Sequence, residues 1–171
     1  PDRTLAKDRI NRLARCEWIG ESEVVVVISK TGCGKSFVVQ ALGNAACRRL
    51  IPVRYTRLAD ICDDLNRARA AKDGSYFEKM DAYKSVALLL VDDFMTTPIS
   101  TQNSVDLFEI MEAREGRRAT VIAFMARPGT MTVFPANIPS TASLATRFAS
   151  RPFSANLTPA TLLNSVSTGP G

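Results

Sequence analysis

The chain has 171 residues, 46% hydrophobic and 23% charged, which is the composition of one ordinary folded domain with a full core and excludes a disordered or fibrous protein. Its net charge of +5 and pI near 9.3 suit a partner that carries phosphates. Four cysteines without a CxxC pair and no histidine exclude a Cys/His zinc site and Ser-His or Cys-His catalysis.

No apolar run has the length of a membrane span, so no membrane partner is expected. With no signal-peptide pattern ahead of the first strand, the cytoplasm is the expected compartment. The chain opens at Pro1 rather than methionine, which suggests that an N-terminal portion has been removed. Residues 2 to 16 read as an amphipathic helix with Ala6, Ile10 and Leu13 along one side. Arg3, Lys7, Arg9, Arg12 and Arg15 fill much of the remainder. They make either a solvated face or a surface for DNA phosphates. Trp18 and Ile19 then lead into the first strand.

Val24 to Ile28 is an unbroken apolar run, the pattern of a strand buried on both faces of a parallel sheet. Gly32, Gly34, Lys35 and Ser36 follow, and FVVQALGNAACRRL reads as a helix. Strand, glycine loop and helix in that order give a phosphate-binding loop its structural context. Glycines let a polyphosphate approach backbone N–H groups at a helix N-terminus. Lys35 can reach the outer phosphates and the Ser36 hydroxyl can hold Mg²⁺. The candidate nucleotide-binding stretch is therefore Ser29, Lys30, Thr31, Gly32, Cys33, Gly34, Lys35, Ser36 and Phe37. Ser29 stands where the pattern G-x-x-x-x-G-K-[ST] has glycine. If its backbone took positive φ, serine there would cost roughly 1–2 kcal/mol, about tenfold in affinity. Lys30 adds a cation at the mouth, and Cys33 lies where a thiol pKa tends to fall, so its alkylation is expected to block nucleotide binding. The other cysteines read as reduced and mostly buried. The plain alternative for the whole stretch is a glycine-rich turn that binds nothing.

Pro52 to Thr56 reads as a second strand, and Leu58, Ile61, Leu65 and Ala68 as a helix that ends near Asp73-Gly74. Tyr76 to Lys84 reads as a further short helix. Val86 to Asp93, VALLLVDD, is an apolar strand with two carboxylates at its C-terminal tip, the end where ligands bind in a doubly wound sheet. Asp92 would face Mg²⁺ and Asp93 would orient or deprotonate the attacking water. Alone, two acids after a strand also fit a turn. Pro98 and Ser100-Thr101 start a helix to about Glu115, and Ala119 to Phe124 is a fourth strand. Prolines are dense from Arg127. Ser140 to Ser150 is a candidate helix, and Phe153 to Leu157 a candidate fifth strand. The uncharged tail after it, residues 158–171, is expected to be disordered.

The segments ALGNAACRR, VRYTRLADI, DGSY, LLLVDDF and DLFEIMEAREGRRATVI, in this order, resemble the IstB family, ATP-binding helper proteins of insertion sequences. The chain is more distantly similar to the DnaC helicase loaders and DnaA initiators of the AAA+ superfamily. The resemblance implies a single α/β domain over residues 1–157, a P-loop NTPase (AAA+) core built as a three-layer sandwich with a five-stranded parallel sheet. It implies ATP and Mg²⁺ as ligands, self-association into an oligomer or filament on double-stranded DNA, and a transposase as partner. Lys35 and Ser36 look like its Walker A pair, and Asp92 and Asp93 like Walker B. Arg147, in TRF, matches an arginine that reaches a neighbouring subunit's γ-phosphate, although an exposed helical arginine is an equal reading.

Besides Ser29, two features depart from the family. Ala123, Phe124 and Met125 stand where the family has a polar water-positioning residue, a loss on the order of 10²–10³ in rate. The late Gly-Glu-Ser-x-Arg segment is absent, and no arginine follows Arg151. Slow or partner-dependent hydrolysis is the consequence. The alternatives are a nucleotide-dependent switch without turnover, a DnaC-like loader that meets a replicative helicase, or a decayed relative that has lost its task.

Overall fold

The structure, a computed structural model, describes residues 3–29, 32, 34–94, 96, 98–125 and 132–136. The valine run forms β1 (Val24–Ser29), and successive side chains alternate between two cores as the strand period requires. Val25 and Val27 join one core, while Val24, Val26 and Ile28 join the other. Three more strands repeat this two-sided burial or flank it: β2 (Val53–Arg57), β3 (Leu88–Phe94) and β4 (Ala119–Met125). In β3, Leu88 and Leu90 face the first core, and Leu89 and Val91 the second.

The first face is covered by α1 (Arg3–Ala14), α2 (Glu17–Gly20) and α3 (Lys35–Cys47), the second by α4 (Leu58–Ala71), α5 (Ser75–Ser85) and α6 (Thr101–Arg114). The sheet therefore lies between two helical layers. α2 is absent from the sequence reading because Trp18 and Ile19 look like the approach to a strand. They instead make a short buried helix, and the Trp18 indole N–H donates to Leu13 O at 2.8 Å. Gly43 in α3 is required by close approach, since a Cβ there would sit 2.7 Å from a Leu90 methyl.

The strand order is β2-β3-β4-β1, with β5 (Thr132–Ala136) beyond β1. β1 pairs parallel with β4, β4 with β3 and β3 with β2. This corrects the expected five-stranded parallel sheet: four strands are parallel, and β5 runs antiparallel to β1, with Val26 opposite Phe134. Pro135 within β5 has no N–H to give, and an edge strand tolerates that. Dense prolines masked this strand from sequence reasoning. The candidate strand at 153–157 and helix at 140–150 lie outside the described residues.

After β1 the chain crosses to the far edge at β2, then returns through β3 and β4 to lie beside β1. The carboxyl ends of β1 and β3 thus share one rim of the sheet, the rim where open α/β sheets bind ligands. At the opposite end, Arg114 is 1% exposed and ties the layers together. Its guanidinium donates to the carbonyls of Tyr83, Lys84 and Val86 at the end of α5, to Ala119 O and to Thr120 Oγ1 on β4. Those of Tyr83 and Lys84 are carbonyls a helix terminus leaves without partners, and a buried donor fork satisfies them.

Candidate nucleotide-binding site

Gly32 (φ +79°) and Gly34 (φ +81°) both adopt the left-handed conformation, and a Cβ built on either meets no atom within 4 Å. Backbone in this conformation is strained for any side chain, whereas the space beside it is open to an incoming group. Gly34 caps α3 without a side-chain hydrogen bond, so the first-turn N–H groups at Lys35, Ser36 and Phe37 have no capping partner from residue 34. The helix dipole adds a partial positive charge at the same place. Ser29, by contrast, is the last residue of β1, opposite Met125 and outside positive φ. The strain considered for serine at that position does not arise.

Lys35 is 9% exposed and reaches back to the tip of β3. Its ammonium donates to Asp93 Oδ1 at 2.9 Å and lies 3.4 Å from Asp92 Oδ1. Asp92 is 1% exposed. Its Oδ1 accepts the Asp93 N–H at 2.8 Å, its Oδ2 accepts the Tyr55 hydroxyl at 2.9 Å, and the Ser36 hydroxyl lies beside it. Burial pushes this carboxyl's pKa up, yet the bonds from Ser36, the Asp93 N–H and Tyr55, with the Lys35 charge, hold it below the ordinary value. Asp92 is therefore an anion at neutral pH.

Asp93 has φ 49°, and the pairing of β3 with β4 shifts register between Val91 and Phe94. Such an irregularity re-aims side chains at a strand end. It leaves Asp92 buried and Asp93 half-exposed, with 44% of its side chain accessible. The two neighbouring carboxylates thus have different surroundings, one enclosed by donors and one facing the rim.

Of the residues selected from sequence, the structure brings together Gly32, Gly34, Lys35, Ser36, Asp92 and Asp93. Phe37 is 76% exposed, and only its backbone belongs to this cluster. Lys30, Thr31, Cys33 and Arg147 lie outside the described residues. Of the remaining cysteines, Cys16 and Cys62 are buried free thiols, whereas Cys47 is exposed. One residue escaped sequence reasoning, Tyr55 on β2, whose hydroxyl donates to Asp92. The signal that finds it is strand register: Tyr55 lies opposite Leu90, two residues before Asp92 on the same face of β3.

At the neighbouring strand end, Ala123 is fully buried and the Phe124 ring packs edge-on against Phe94 at 4.9 Å. Among the described residues no group of three or more His, Cys, Asp and Glu side chains could alone hold a metal ion. One hydroxyl beside one carboxylate is instead the donor set of a hard cation that takes its other ligands from phosphate and water. Ser36 and Asp92 fit Mg²⁺ in that sense.

A mostly parallel sheet whose first strand turns through left-handed glycines into an uncapped helix, with an acidic strand tip against the loop lysine, defines the P-loop class of nucleotide-binding folds. The chain matches the IstB-like ATP binding protein family over residues 2–127 and belongs to that family. It is 35% identical over 121 residues to a Sinorhizobium fredii protein described as an insertion sequence ATP-binding protein, covering 71% of this chain and 46% of that one. It is 29% identical over 130 residues to an insertion sequence ATP-binding protein of Pseudomonas fluorescens, covering 76% and 55%. The chain spans about half the length of the curated relatives it matches.

Among solved structures, the DnaC helicase loader superposes with a TM-score of 0.65 at 15% identity, over 87% of this chain and 79% of that one. AMPPCP-bound DnaA from Aquifex aeolicus superposes at 0.62 and 23% identity, over 85% and 43%. These likenesses show that the chain shares the fold of those two proteins. No helix among the described residues is long and apolar enough to cross a membrane.

Proposed function

We propose that the chain binds ATP as its magnesium complex, assembles on double-stranded DNA in that form, and assists a transposase, with slow or partner-stimulated hydrolysis. The observation that carries the reading is the meeting of Lys35 and Ser36, at the start of α3, with Asp92 and Asp93 at the tip of β3. Membership of an ATP-binding family of insertion sequences supports it.

In this reading the amides around Gly32 to Ser36 cradle the phosphates, and Ser36 with Asp92 would hold the metal ion, which would supply charge neutralisation to the bound nucleotide. Lys35 exchanges its bond to Asp93 for a γ-phosphate oxygen, and Asp93, at the open rim, then orients the attacking water. Arg147 is the proposed contribution across a subunit boundary. The weak point of the machinery is the end of β4, where buried Ala123 and the Phe124–Phe94 pair stand in place of a polar group. A donor missing there removes stabilisation that an efficient hydrolase uses. That feature favours a second reading, in which ATP occupancy alone holds the assembly and no phosphate is released.

Size analysis with ATP and duplex DNA, comparing the chain with Lys35→Ala, tests the proposal. Assembly should require all three of ATP, DNA and Lys35, and should weaken steeply with salt because phosphate contacts dominate. Assembly that ignores Lys35→Ala refutes the site. Phosphate release stimulated by DNA selects the ATPase, and binding without release selects the switch.

A further inference from the structure

The side chain of Tyr55 reaches the candidate metal carboxylate from β2, a strand that does not lead into the phosphate loop. β2 is an edge strand, and its register with β3 puts Tyr55 opposite Leu90. Residues 88, 90 and 92 share one face of β3 by the two-residue period, so Tyr55 and Asp92 are diagonal neighbours on the α3 side, a separation a long aromatic side chain spans. The hydroxyl donates to Asp92 Oδ2 at 2.9 Å. On α3, Ser36 and Gln40 are four residues apart and so stand on one helix face. Ser36 lies beside the Asp92 carboxylate, and Gln40 lies beside the Tyr55 hydroxyl. Side chains from α3, β3 and β2 thus gather around one buried carboxylate, and the Tyr55 hydroxyl is the one that donates to its Oδ2.

The direction of that bond is defined: the phenol has one proton to give and gives it to Asp92. Oδ2 of Asp92 is thereby occupied, and Oδ1 is left on the side of Lys35 and the Asp93 N–H. An ionised carboxylate with two free oxygens can rotate; one with an oxygen held by a phenol cannot do so without breaking a charge-assisted bond.

We propose that Tyr55 is a positioning residue that fixes the Asp92 carboxylate in the orientation needed to take Mg²⁺ together with Ser36. The inference rests on the nucleotide-site reading above and adds to it a residue that acts through Asp92. Outer-shell hydrogen bonds of this kind orient metal ligands, and their loss typically weakens metal binding about tenfold or more.

Tyr55→Phe removes the hydroxyl and keeps the ring. Binding of a fluorescent, non-hydrolysable ATP analogue to the 171-residue chain is titrated with Mg²⁺ and, separately, in chelator. Tyr55→Phe should raise the Mg²⁺ concentration for half-maximal tightening about tenfold. Chelator-phase affinity should stay at the wild-type value, and the thermal midpoint without ligand should fall only by the few degrees that one lost hydrogen bond costs. An unchanged Mg²⁺ midpoint in Tyr55→Phe, with wild type responding to Mg²⁺, overturns the inference and leaves the nucleotide site standing. So does a Mg²⁺ shift matched by an equal loss of chelator-phase affinity and a thermal midpoint lowered beyond those few degrees, because Tyr55 would then act only on the fold. Failure of wild type to bind the analogue at all overturns the site and the inference together.

Discussion

Two buried cations lie at opposite ends of the sheet, and their surroundings differ in kind. Among the described residues Arg114 has no carboxylate partner; its donors go to main-chain carbonyls and one threonine hydroxyl. Burial, with Arg118 nearby, lowers its pKa to about 10, so it stays charged at neutral pH. Lys35 instead meets two carboxylates of which one is half-exposed. Fixed carbonyl dipoles cannot leave, so the arginine end is locked. A half-exposed carboxylate is a partner that another anion can displace, so the lysine end can be rearranged. The contrast separates a buried charge that holds the fold from one that is held ready for a ligand.

The largest effect is expected where nothing can rearrange. Arg114→Met keeps the volume and strips donors from the carbonyls of Tyr83, Lys84, Val86 and Ala119. Stability to chemical denaturation should fall by about 3 kcal/mol, since buried acceptors lose their partners. The thermal midpoint should drop by roughly 6–12 °C. A loss under about 1 kcal/mol would mean that water replaces the guanidinium, and the locked end would not be locked.

Lys35→Ala is the counterpart. Asp92 keeps Ser36, Tyr55 and the Asp93 N–H, so the midpoint without nucleotide should move by only a few degrees. ATP affinity, measured by titration calorimetry with Mg²⁺, should fall about 100-fold, the worth of a strong charge-assisted contact. If stability fell as far as in Arg114→Met while affinity held, the two ends would have exchanged roles.

The same contrast governs what could be read from sequence. The alternation of Val24 to Ile28, the glycine spacing and the acidic tip at Asp92 and Asp93 are local patterns, and local patterns survive in a string of letters. Arg114 is invisible there, because an arginine in EAREGRR reads as a solvated charge until α5 and β4 are seen to aim carbonyls at it. Tyr55 is hidden for a related reason: its bond to Asp92 depends on the register of β2 against β3, which no window of sequence contains. Pro135 concealed β5 by suggesting a loop, and the antiparallel course of that strand has no signature in its five residues. The sequence thus carries the ligand-facing half of the site, and tertiary pairing carries its support.

Acid titration sharpens the comparison further. Asp92 has a folded pKa below the ordinary 3.8, so its bonds contribute stability that is fully present above that value and is lost as pH falls through the folded value. Asp92→Asn should therefore cost most near pH 7 and progressively less below about pH 4. Urea unfolding of the two proteins at pH 7 and pH 3 checks the sign. A cost that stays constant or grows in acid would show that the enclosing bonds do not favour the anion.

The smallest effect is expected from the displaceable partner itself. Asp93→Asn leaves a hydrogen-bonding group of the same size beside Lys35 but removes the charge that competes with a phosphate for it. A half-exposed ion pair is worth about 0.2–1 kcal/mol, because water and salt screen it. ATP affinity should accordingly rise by roughly 1.5- to 5-fold, and the gain should shrink as salt is raised. Phosphate release should fall in the same variant, since the group placed to orient water has lost its charge. Tighter binding with slower release distinguishes a carboxylate that competes for the lysine from one that merely supports it, because loss of support would loosen ATP instead.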